Sequence, residues 1–160
     1  MAARHFLRRL VSTCALLLAV AFGPLPGWAA PALRQITSVV TIVVPASAFD
    51  PASCKAQVTV SRGIVMQVNA AGSWSLRVRA TSAAFTYVPQ PGTGNAKPVA
   101  ELQLRPTGGG TTSVITTSYH VIRTGSRTTA WQDCPFDVIL QATSADAGGQ
   151  YTVTLEFNVS

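Results

Sequence analysis

Ser73-Trp74-Ser75-Leu76-Arg77-Val78-Arg79-Ala80 alternates apolar and polar residues without a break. Trp74, Leu76, Val78 and Ala80 fall on one side, and Ser75, Arg77 and Arg79 on the other. Successive side chains of a β-strand point to opposite faces, so the stretch carries one face for a core and one for water. Strands of this kind belong to an antiparallel sheet covered on one side.

The same period of two recurs on either side. Tyr151, Val153, Leu155, Phe157 and Val159 form one face near the C-terminus, with Thr152, Thr154, Glu156 and Asn158 on the other. Phe136, Val138, Leu140 and Ala142 make another such face. Val58, Val60, Ile64, Met66 and Val68 alternate too, with Arg62 as the exception. Val114 to Ile122 reads as a further strand, and Leu102 with Leu104 as a short one ended by Pro106. Ile36 to Val44 is a β-branched run, apolar on both faces (Ile36, Val40, Ile42 and Val44 against Val39 and Val43) and ended by Pro45. Turn residues separate these runs: Asn69 to Gly72, PQPGTGNAKP at 89–98, the glycines 108–110, and Ala145 to Gly149. Helical periodicity is hard to find. Seven short strands with turns between them are expected, the pattern of an all-β sandwich in one domain.

The first residues have a different character. Arg4, Arg8 and Arg9 precede an apolar run of 13 residues, Leu10 to Phe22. Gly23 to Gly27 breaks it, and the small residues Ala29, Ala30 and Ala32 follow. This is the layout of a secretory signal peptide, a cleaved helical leader. The run is short of the roughly 20 residues a membrane span needs. Cleavage after Ala29 or after Ala32 fits the small-residue rule, so residues 1–29 are expected as leader and 33–160 as the sandwich domain. The expected location is outside the cytoplasm: periplasm, cell surface or extracellular space, with no membrane span after cleavage. Three of the 12 basic residues and none of the six acidic ones lie in the leader, so the rest has nine against six, a mild +3. Those nine are spread singly, and no basic stripe points to nucleic acid.

Removing the leader also removes Cys14 and leaves Cys54 and Cys134. An even pair in an exported chain points to one disulfide, closing a loop of about 80 residues worth roughly 4 kcal/mol by loop entropy. Two buried free thiols are the alternative.

Chemistry is sparse. His120 is the one histidine beyond the leader and has no neighbouring carboxylate in sequence, so it reads as a strand residue beside Tyr119. Asp50, Glu101, Asp133, Asp137, Asp146 and Glu156 are scattered and read as surface acids rather than a facing catalytic pair. The segment Gly92 to Lys97 lacks phosphate-loop spacing, and no serine sits in G-x-S-x-G. The chain is therefore expected not to be an enzyme and to need no cofactor or metal. Trp74 reads as core, while Trp131, in the polar loop Arg127 to Gln132, is the candidate for ligand contact.

The closing Gly149-Gln150-Tyr151-Thr152-Val153-Thr154-Leu155-Glu156-Phe157-Asn158-Val159 resembles the last strand of bacterial secreted immunoglobulin-like proteins, among them the pilin-like spore coat protein U family. Trp74-Ser75-Leu76-Arg77-Val78 resembles a strand of such envelope proteins. The resemblance implies a single immunoglobulin-like antiparallel sandwich. It also implies a subunit of a surface fibre or coat, with Ile36, Val40, Ile42 and Val44 as a strand donated to another copy or another envelope protein. The long Cys54–Cys134 spacing and the absence of F-x-x-G after Cys54 depart from that family. The main expectation is thus a non-enzymatic structural or interaction module, and the alternative a glycan- or ligand-binding module in which Trp131 and Tyr87 form an exposed aromatic cluster.

Overall fold

A computed structural model describes residues 30–35, 37–89, 97–143, 146 and 149–160. The expected leader, 1–29, and Ile36 lie outside the described residues. The described chain is all-β, built of antiparallel strands in two sheets. The strands are β1 (Ala32–Arg34), β2 (Thr37–Val44), β3 (Lys55–Asn69), β4 (Trp74–Ala80), β5 (Thr86–Pro89), β6 (Leu102–Pro106), β7 (Ser113–Val114), β8 (His120–Gly125), β9 (Gln132–Thr143) and β10 (Gly149–Val159). One sheet has the order β1-β3-β9-β6-β7; the other has β2-β10-β4-β8, with β5 also paired to β10. Both contribute to a common core. Among the described residues no helix is long and apolar enough to cross a membrane.

Seven strands were expected, and ten are present among the described residues. β1, β5 and β7 are three, four and two residues long, too short to display an alternation. The Val114–Ile122 stretch is not one strand. Ile115 N–H donates to Leu102 O within the first sheet, and Thr116 O accepts from Ala80 N–H in the second, so the chain changes sheets between β7 and β8. Fully buried Ile115 fills the core at the crossing.

The quoted strand behaves as its alternation predicts. In β4, Trp74, Leu76, Val78 and Ala80 are all buried. Trp74 Nε1 donates to Ser126 O at 2.8 Å, giving the one polar atom of that ring a partner. Its ring fills the space where a side chain at Gly125 would lie: a Cβ there would sit 2.3 Å from the indole. Arg62, the exception in β3, sits at a bulge. Val60 pairs with Val138 and Ile64 with Phe136, so two extra residues leave the ladder, and Arg62 takes φ +51°. Because the insertion is even, Ile64, Met66 and Val68 still face inward.

Asp137 of β9 holds that bulge. It is only 5% exposed, yet its carboxylate accepts from Thr107 Oγ1 at 2.7 Å, Arg105 Nη2 at 3.0 Å, Arg62 N–H at 3.1 Å and Ser61 Oγ at 3.3 Å. The Thr107 hydroxyl foremost, then the Arg62 N–H and the Arg105 guanidinium, hold its carboxyl far below the usual range. A surface acid was expected there; the residue instead ties β3, β6 and β9 together.

Candidate functional site

The N-terminal strand serves both sheets. β1 pairs with the end of β3 (Ala32 with Asn69, Arg34 with Gln67). The chain then passes Gln35, at φ +65°, and β2 joins the other sheet. β2 pairs antiparallel with β10 over eight positions, from Thr37 opposite Glu156 to Val44 opposite Gly149. Val40, Ile42 and Val44 point into the core and are buried, as the alternation requires. The residues expected as a partner strand are thus seated, Ile36 aside, in their own chain.

Among the described residues, β2 is the last strand of its sheet. Its sequence TSVVTIVV contains no charge and no proline. Val39 and Val43 are 65% and 52% exposed on the outer face, and Val88 of β5 lies across Gln150 from Val43. Thr41 and Thr152 touch through their hydroxyls at 3.2 Å. This end of the outer face is uncharged. At the other end, Arg79 pairs with Glu156 at 2.7 Å and stacks on Tyr119. Edge strands are commonly guarded by lysine, proline or a bulge, and β2 carries no such guard.

Trp131 lies in the loop between β8 and β9. Arg34 of β1 covers its ring, the guanidinium 4.2 Å from the ring centroid. The loop is anchored to the end of β3: Thr128 N–H donates to Ala70 O, and Ala70 N–H donates to Thr128 Oγ1, both at 2.8 Å. Residues 127–132 line a shallow cleft of about 350 Å³. Tyr87 does not join Trp131. It packs on Tyr151 with ring centroids 4.9 Å apart, so the aromatic cluster expected of a ligand-binding module does not form.

The expected disulfide between Cys54 and Cys134 is absent, and both residues are free thiols, one exposed and one buried. Register explains this. Cys134 lies opposite Met66, whereas Cys54 immediately precedes Lys55, which lies opposite Thr143. Thr143 lies nine positions along β9 from Cys134. At about 3.3 Å per residue that is on the order of 30 Å, against the roughly 7 Å that a bridge tolerates.

His120 is half-buried, its Nδ1 3.4 Å from Ser118 O, and among the described residues no carboxylate bonds to it. Among the described residues no group of three or more histidines, cysteines and acids is placed to hold a metal.

One cluster escaped the sequence reading. Lys97, one of the nine basic residues spread singly along the chain, is only 1% exposed. Its Nζ donates to Asp146 Oδ2 at 2.7 Å and pairs also with Glu101. The same Oδ2 accepts from Thr143 N–H at 2.7 Å and Thr143 Oγ1 at 3.1 Å. Burial pushes the Asp146 carboxyl up, but the Lys97 ammonium and the Thr143 donors outweigh it and leave it lowered. Beside it, burial, aided by the charges of Asp146, Tyr87 and Glu101, pushes the Tyr151 hydroxyl up to about 12. The only signal in the sequence was the i, i+4 spacing of Lys97 and Glu101, which is common on surfaces.

Compared with protein-family models, with curated proteins and with solved structures, the chain matches none.

Proposed function

We propose that this chain is an exported, non-enzymatic structural or interaction module with an immunoglobulin-like sandwich. It works in the cell envelope or outside the cell through its N-terminal strand and the open edge beside it. The observation that carries this reading is β2: eight residues without a charge, closing the domain against β10, with two valines exposed on the outer face and, among the described residues, no strand paired at its other edge. A second copy, or another envelope protein, adds at that edge by main-chain pairing, or β2 itself passes between copies. Size measurement tests this. The mature protein is run on gel filtration and on an SDS gel without boiling. A ladder that collapses on boiling supports strand exchange, and association without SDS resistance supports edge pairing. A monomer at every concentration sinks both.

The second reading, a glycan- or ligand-binding module, rests on Arg34 stacked over Trp131 beside the cleft of residues 127–132. Trp131 fluorescence titrated with a panel of oligosaccharides tests it: no spectral change that Trp131→Ala removes means no such site.

A further inference from the structure

The Lys97 cluster has a composition and a setting that an ordinary surface ion pair lacks. A fully desolvated ammonium is costly, and partners of good geometry are needed to hold it. Lys97 has two carboxylates, and its side chain is wholly shielded from solvent. Asp146, 49 positions away in sequence, is itself mostly covered, with 14% of its side chain exposed. Aromatic residues adjoin the cluster, and the charges of Asp146 and Glu101 reach the Tyr151 hydroxyl. Phe85 N–H donates to the Lys97 carbonyl at 2.9 Å, the Phe85 ring meets Tyr151 edge-on at 5.9 Å, and Tyr87 flanks the same tyrosine. The ion pair is the resting form, and one proton passed from ammonium to carboxylate within it would give the two reactive groups, an amine beside a carboxylic acid.

We propose that Lys97 and Asp146 condense into an intramolecular isopeptide bond, with Glu101 carrying the proton. The neutral Nζ attacks Asp146 Cγ. Oδ2, held by the Thr143 N–H and hydroxyl, takes the developing negative charge and remains as the amide oxygen. Glu101, which faces the same nitrogen, accepts its proton and delivers it to the departing oxygen. The Cγ–Oδ1 bond breaks, and Oδ1 leaves as water. One amine and one acid give one amide and one water, so no oxidant or cofactor is required. The bond closes a loop holding β6 to β9 and ties the segment before β6 to the start of β10. This site is independent of the β2 edge, so either can fail without the other.

Intact-mass spectrometry of the purified full chain, reduced and denatured, reads the bond directly. The expected mass is that of the sequence less one water, with the tryptic peptides carrying Lys97 and Asp146 recovered joined. Lys97→Arg and Asp146→Ala should each restore the lost water, and Glu101→Gln should leave most of the protein at full mass. Wild-type protein at full mass overturns the proposal and leaves a buried ion pair. A loss of water that persists in Lys97→Arg, or that maps to Lys97 and Glu101, overturns it as well. The wild-type measurement stands whether or not a variant folds.

Discussion

At the scale of single residues, the two thiols differ sharply. Cys54 is exposed, whereas Cys134 is wholly buried, and burial pushes its thiol up. Thiolate is the reactive form, so Cys134 is doubly protected. A thiol reagent should label Cys54 in the native protein and Cys134 only after unfolding. No labelling without reductant would show that both are oxidised, which one chain of this register cannot achieve alone. Gly125 is the other residue with a sharp consequence. Gly125→Ala forces the Trp74 indole out of its seat, and overpacking of this kind costs about 1–3 kcal/mol. The urea midpoint should fall accordingly, while an alanine at Gly108, whose Cβ would meet open space, can cost only through its φ of +93°.

Among the elements, the bulge of β3 makes stability depend on acid. Folding lowers the Asp137 carboxyl, so the stability it contributes is complete above the unfolded value of about 3.9 and is lost as pH falls through and below it. Urea midpoints measured from pH 6 down to pH 2 should drop in the wild type and drop less steeply in Asp137→Asn, which starts lower. Equal slopes would remove Asp137 from the acid response. β2 gives a second element-scale expectation. Ile42 is 1% exposed and pairs with Tyr151, so Ile42→Ala should cost about 2–5 kcal/mol by urea unfolding if the strand closes its own domain. Sequence patterning identified β4, β9 and β10, because a strand with one covered face writes its own alternation. It could not reveal the break inside Val114–Ile122, since that break exists only because Leu102 and Ala80, on different sheets, each capture one backbone group. The failure of the Cys54–Cys134 pairing has the same origin: it follows from which residue of β9 lies opposite which residue of β3. The inward side of β2 was legible residue by residue, but the identity of its neighbour, β10, was not. Lys97 was hidden more deeply, because its burial depends on an aspartate beyond β9.

For the whole molecule, the association proposed at the edge beside Val39 and Val43 is open to a test by charge. Val39→Lys and Val43→Lys place charges on the outer face while leaving the inward Val40, Ile42 and Val44 untouched. Light scattering should show association of the wild type reduced severalfold or abolished in the double variant, with unchanged unfolding midpoints. Association that survives both lysines would move the contact elsewhere. The pairing of β2 with β10 has a further, mechanical consequence. Thr37, where β2 begins, lies beside Glu156, the last residue of β10 that pairs with it. A pull that separates these ends opens the ladder one rung at a time, because the load falls on the terminal hydrogen bonds and never on all eight residue pairs together. Loaded in this direction the β2–β10 ladder yields gradually and at low force, whereas a pull along the strands in shear would meet the whole ladder at once.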